Sequence, residues 1–167
     1  MSPEPIVLFG TQFTLALVAY ALIGLWYVAP RLSRLPVDVA LAPLLWVHAF
    51  RFVGGTILAP GAVDAGVAPE FRAMVGYGDL ATSVLAVLAL VALRGHFSGA
   101  RALVWVCIGV GTVDTANAIV QTIRYDVLAH PLGVNWLIVT GYVPALLVSS
   151  VLIVLQLLRH DRAAGSA

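Results

Sequence analysis

Residues 102–124 read ALVWVCIGVGTVDTANAIVQTIR. As a helix this stretch reaches about 34 Å, enough to cross the ~30 Å hydrocarbon core of a bilayer. Asp114, Asn117, Gln121 and Arg124 stand on it at i, i+3, i+7 and i+10. That spacing lays all four along one helical face. A polar stripe on an otherwise lipid-soluble helix has to face protein or water, because acyl chains satisfy no polar group.

The rest of the chain agrees. It has 167 residues, 61% hydrophobic and 10% charged, with a mean hydropathy of +1.00; soluble domains carry roughly 25% charged residues. Four further apolar stretches flank the first, at residues 6–28, 39–58, 71–93 and 132–158. With 102–124 they make an all-α bundle of five membrane-spanning helices in a single membrane domain, 1–167. The first stretch is too long for a signal-peptide core and has no basic residue ahead of it, so it is expected to be retained as a span. Pro43 falls in the first turns of the second stretch, and Pro144 is expected to kink the fifth. No internal repeat is evident, and five spans do not support an inverted-repeat transporter of the even-numbered kind.

Several function classes drop out. Net charge is +1 and no basic run occurs, which argues against a nucleic-acid partner. Cys107 is the single cysteine, so an intrachain disulfide and a cysteine-based structural zinc site are excluded; it reads as a packing thiol. No serine–histidine or paired-glutamate arrangement suggests a hydrolase, the balance is against an enzyme, and the sequence names no cofactor.

All nine basic residues other than histidine are arginines, and their placement gives an orientation. Connectors alternate between the two sides of the membrane. One side receives Arg31, Arg34, Arg94, Arg101, Arg159 and Arg162; the other receives Arg72 and Arg124. The positive-inside rule then puts Met1 outside and Ala167 in the cytoplasm, in a cytoplasmic (inner) membrane. Trp26, Tyr27 and Trp136 fit the interfacial aromatic belts.

Orientation assigns depth. Arg51 on the second span falls about 10–12 Å below the outer boundary, Asp79 on the third at roughly 9–12 Å, and Asp114 near the middle. His48 is close to the midplane, and Gln12, Asn117, Gln121 and Asn135 lie in the outer half. The expectation is a polar cup opening outward above an apolar plug. Ionised residues inside a membrane cost about 2.5–3.5 kcal/mol each on insertion scales, so Arg51 and Asp79 are expected to pair across their spans. His48 is the expected partner of Asp114. The candidate ligand-binding or proton-handling set is His48, Arg51, Tyr77, Asp79, Asp114, Asn117, Gln121 and Asn135. His48, Asp79 and Asp114 would make a three-ligand metal set if they converge, though no spacing demands it. Gly54, Gly55, Gly109 and Gly111 read as points of close helix approach rather than a phosphate loop.

The run His48-x-x-Arg51-x-x-Gly54, a proline-containing loop, Phe71, Gly76-x-Gly78-Asp79 and then Gly111-x-x-Asp114 resembles a group of bacterial multi-pass membrane proteins of unknown function. Those carry R-x-x-G, P-x-x-F and G-x-G-D motifs; Pro69-Glu70-Phe71 stands in the P-x-x-F place here. The resemblance implies that Arg51, Asp79 and Asp114 form one constellation, and it supplies no activity.

Three readings follow. The first is a protein that binds, senses or helps translocate a small or amphipathic ligand arriving from the external side. The second is a non-catalytic accessory subunit whose polar face meets a partner membrane subunit or a second copy. The third is a haem- or metal-dependent redox protein using His48. Membrane lipid is a partner in all three.

Overall fold

The structure is a computed structural model and describes residues 4–165. Met1 and Ala167 lie outside the described residues, as do the side chains of His160 and Arg162. Five helices among the described residues are long and apolar enough to cross a membrane. They are α1 (Pro5–Leu32), α2 (Val37–Leu58), α3 (Pro69–Arg94), α4 (Ala100–Arg124) and α5 (Val134–Arg159). No strand forms among the described residues. The protein is an all-helical, multi-pass membrane protein.

α2 is central: it packs on α3 on one side and α5 on the other, while α4 lies against α3 and α1 against α5. Between Pro5 and Ile23 α1 buries nothing. It meets α5 where Gly24 allows close approach, since a Cβ there would stand 3.1 Å from Val148 Cγ1.

Two prolines are absorbed rather than helix-ending. α1 runs past residue 28, where the first apolar stretch ends, through Pro30 to Leu32. A π turn at Gly24–Val28 precedes Pro30, and another at Ile138–Tyr142 precedes Pro144. In each, the carbonyl four residues before the proline falls inside the widened turn, so the ring finds room where a regular α-helix would clash.

α2 changes character midway. It is α-helical over Val37–Ala49 and then a 3₁₀ helix over Phe50–Leu58. Such runs are seldom longer than three or four residues, and mid-helix they mark strain or function. Here the period of three aligns Arg51, Gly54 and Ile57 on the buried side. At 3.6 residues per turn Gly55, seven residues after His48, would share the His48–Arg51 face; the tighter winding brings Gly54 there instead.

Two apolar clusters stand apart. The larger joins Leu41, Leu44 and Leu45 of α2 to Ala86, Ala89, Val104, Ile108, Ile153 and Leu157. The smaller joins Ile57, Val63, Val67, Phe71, Val127 and Leu132 at the other end, where the 59–68 segment and the turn after α4 fold over the helix ends. The polar residues of the helices are sandwiched between the two. The expected open cup above a plug is therefore a polar layer with apolar packing on both sides, because the connectors bring valines and a leucine of their own.

Candidate functional site

The layer is built around Arg51, which is 4% exposed. Its Nε donates to Asp79 Oδ1 on α3 at 2.5 Å, and Nη2 donates to Asp114 Oδ2 on α4 at 2.6 Å. Nη2 also reaches Thr115 Oγ1 at 2.9 Å, and Nη1 the Gly111 carbonyl at 3.2 Å. The Thr115 hydroxyl donates to that same carbonyl at 2.8 Å. One guanidinium thus ties three helices together. Two carboxylates share it, with side chains 14% and 12% exposed for Asp79 and Asp114.

The three charges lie at one level. Arg51 is seven residues from the end of α2, about 14 Å at the 3₁₀ rise of 2.0 Å. Asp79 is ten residues into α3 and Asp114 ten residues from the end of α4, about 15 Å each at 1.5 Å per residue. An α-helical second span would have left Arg51 about 4 Å short of that level; the 3₁₀ segment carries it to the two carboxylates.

Glycines make the arrangement sterically feasible, in a cycle. A Cβ on Gly54 of α2 would stand 1.7 Å from Asp79 Oδ2 of α3. One on Gly78 of α3 would stand 1.8 Å from Asp114 Oδ1 of α4. One on Gly111 of α4 would stand 3.2 Å from Arg51 Nη1 of α2 and 2.9 Å from Thr82 Cγ2. Each helix contributes one charged side chain and one glycine, and each glycine seats the charge of another helix. This gives a physical reason for Arg51-x-x-Gly54, Gly78-Asp79 and Gly111-x-x-Asp114. Gly109 has nothing within 4 Å and plays no part.

Hydroxyls complete the layer. Ser83 Oγ donates to the Ala49 carbonyl at 2.5 Å, and the Tyr142 hydroxyl donates to the Val47 carbonyl. Both carbonyls belong to the last α-helical turn of α2, just before the 3₁₀ junction. Thr82 Oγ1 bonds the Gly78 carbonyl at 2.9 Å. Cys107 is fully buried, with Sγ 3.9 Å from the Thr82 carbonyl, a packing thiol as its neighbours suggested.

Not every expected member joins. His48 is buried, but its Nε2 faces Ser149 Oγ at 3.0 Å and Ser150 Oγ at 3.4 Å on α5. It turns away from Asp114: His48 lies three residues before Arg51, still within the α-helical half of α2, and faces the α5 side. The proposed His48–Asp79–Asp114 metal set does not converge, and among the described residues no trio of histidine, cysteine or acidic side chains could hold a metal ion. His96 lies in the α3–α4 connector and His130 pairs with Asp64 at 3.4 Å, so neither accompanies His48 at its depth. Tyr77 is 65% exposed and points away from the layer. Asn117 is exposed and donates to Met74 Sδ at 2.9 Å; Gln121 Nε2 donates to Asn117 Oδ1 at 3.4 Å. Asn135 is buried but serves the Ala62 carbonyl at 3.2 Å, pinning the 59–68 segment. Gln12 accepts from Trp136 Nε1 at 2.7 Å, linking α1 to α5. Thr115, Tyr142, Ser149 and Ser150 were not anticipated. Thr115 follows Asp114 directly, and a hydroxyl beside a buried carboxylate was the available signal.

A family model described as Domain of unknown function (DUF8737) matches residues 8–158, nearly the whole chain. The chain belongs to this family. The match spans all five helices, so the DUF8737 unit is the entire bundle rather than a module within it. No curated protein and no solved structure matches the chain.

Proposed function

We propose that this DUF8737 protein binds a small cationic group at the Asp79–Arg51–Asp114 layer, and that such binding is its means of sensing or moving a ligand. The observation that carries the reading is the charge count. Two carboxylates share one guanidinium, so the layer bears one negative charge when both are ionised. Unbalanced charge at mid-membrane is expensive, and a proton, an alkali cation or the ammonium head of an amphiphile would neutralise it. Asp79 and Asp114 keep partial exposure while Arg51 does not, so the carboxylates are the accessible edge.

The arginine distribution supports an orientation with the N-terminus outside and the C-terminus in the cytoplasm, in a cytoplasmic membrane. Reporter fusions at residue 167 test it, and activity of an extracytoplasmic reporter there would reverse it.

The test of function is melting temperature in nanodiscs at constant ionic strength, with choline exchanged for sodium, potassium or alkylammonium ions and with pH varied. The wild type is expected to be stabilised by one of these. Asp114→Asn leaves one carboxylate on one guanidinium, a neutral layer; it should fold and lose the response. A wild type indifferent to every cation and to pH would refute the reading.

One observation favours the accessory-subunit reading instead. Asn117 is exposed on α4, about 10 Å in from Arg124, and beyond its bonds to Met74 and Gln121 it keeps one amide N–H for which lipid offers no acceptor. Native mass spectrometry directly from membranes separates the two, because a stable heteromeric complex supports the second.

A further inference from the structure

A cleft of about 240 Å³ opens between the end of α2 and the start of α3, away from the Arg51 layer. Ile57, Leu58, Pro69, Arg72, Ala73 and Tyr77 line it. Arg72 is unlike the other arginines whose side chains are described. Arg51 is held by two carboxylates and Arg101 by Asp38. Arg31 bonds the Tyr27 carbonyl, and Arg124 lies over the Tyr125 ring. Arg34, Arg94 and Arg159 are exposed. Arg72 is partly buried, its Nε is shut off from solvent, and that atom has no hydrogen-bond partner among the described residues. None of the described ion pairs includes it.

The Arg72 Nη groups are not closed off in this way and make none of the described hydrogen bonds or ion pairs, and the group that best satisfies an unpaired guanidinium is an anionic oxygen. The position favours one as well. Arg72 sits in the first turn of α3, where the positive end of the helix dipole adds to its charge. It lies about 4.5 Å along the helix from Pro69, at headgroup level, whereas Tyr77 lies about 12 Å along, at acyl-chain level. The cleft therefore has a cationic head at the interface and an apolar course of Ile57, Leu58, Ala73 and the Tyr77 ring leading inward.

We infer that this cleft binds a membrane phospholipid, with the headgroup phosphate on Arg72 and an acyl chain along Ile57, Leu58 and Tyr77. The site is independent of the cation reading of the Arg51 layer, shares no residue with it, and accounts for Tyr77 facing away from that layer.

The test uses native mass spectrometry and melting temperature of the full chain in detergent, with three probes. Dioleoyl phosphatidylglycerol carries phosphate and chains, dioleoylglycerol the chains alone, and glycerol 3-phosphate the phosphate alone. The first should form a retained adduct and raise the melting temperature, and the other two should do neither. Arg72→Gln should weaken phosphatidylglycerol binding about tenfold or more, in line with loss of a charge-assisted hydrogen bond. Ala73→Leu keeps Arg72 and fills the cleft, and should weaken it as well. Equal binding of dioleoylglycerol would show that phosphate is not recognised, and equal binding of glycerol 3-phosphate would assign Arg72 to a free anion; either overturns the inference. If Arg72→Gln does not fold, Ala73→Leu decides alone, and its binding phosphatidylglycerol as tightly as wild type would place the lipid elsewhere.

Discussion

Gly78→Ala puts the interlock of α2, α3 and α4 to its sharpest test. The new Cβ would stand 1.8 Å from Asp114 Oδ1 and 2.6 Å from its Cγ, where ordinary contact begins at 3.4 Å. The carboxylate must retreat by more than 1 Å, which its 2.6 Å bond to Arg51 Nη2 does not survive. Displacement leaves the Asp114 carboxylate as an unpaired buried charge, which costs about 3–5 kcal/mol and which an asparagine in its place would not create. Replacing a helix-interior glycine by alanine returns about 1 kcal/mol. The expected net loss is therefore about 2–4 kcal/mol, read from unfolding by dodecyl sulfate in mixed micelles. Gly109→Ala is the control: nothing lies within 4 Å of it, so the alanine should be neutral or stabilise by up to about 1 kcal/mol. The decisive step is a double-mutant cycle. With Asp114→Ala in the background the steric conflict is gone, and Gly78→Ala should cost nothing further. If Gly78→Ala is as damaging beside Asp114→Ala as in the wild type, the glycine is not there to seat the carboxylate, and the interlock is wrong.

Other expectations follow from the same geometry. Asp79→Asn and Asp114→Asn should each be tolerated, since Arg51 keeps the remaining carboxylate; the double variant strands Arg51 and should lose about 3–5 kcal/mol in the same unfolding assay. A large loss from Asp79→Asn alone would mean that Asp114 does not hold the guanidinium. Ser83→Ala removes the hydroxyl on the Ala49 carbonyl and should cost about 1–3 kcal/mol, whereas Ser33→Ala on the surface should stay within about 0.5 kcal/mol. Tyr142→Phe should cost a similar 1–3 kcal/mol by freeing the Val47 carbonyl, measurable as a fall in melting temperature.

The sequence disclosed the charges better than the framework that places them. Apolar runs of membrane length mark all five helices within a few residues, because crossing lipid demands them. The Arg51–Asp79 pair was legible because opposite charges at similar depth have few other partners inside a membrane. What stayed hidden depends on helix winding. A sequence read at 3.6 residues per turn cannot show that α2 tightens to three per turn after Ala49. That single change promotes Gly54 over Gly55 and lowers Arg51 to the level of Asp114. It also undoes the division of labour in which Asp79 alone held Arg51 and Asp114 turned to His48. Likewise Pro30 reads as a helix end, since nothing local announces the π turn that accommodates it.

The cyclic seating bears on whether the layer is structural or functional. A purely structural tie needs one carboxylate for one guanidinium, and the pair would then be neutral and shielded. Here a third helix adds a second carboxylate, and Gly78 is kept small to receive it. That addition gives the layer one negative charge when both carboxylates are ionised, and a 3₁₀ segment, a less favourable winding, lies directly on Arg51. Features that cost stability yet converge on one point are expected where a site must change state. A proton or cation arriving at Asp79 or Asp114 weakens that carboxylate's hold on Arg51 and so loosens one of the two helices it ties to α2. On the proposed cation-binding reading, binding at the layer and the relative freedom of α3 and α4 would be the same event, which is the coupling a sensor or a carrier requires.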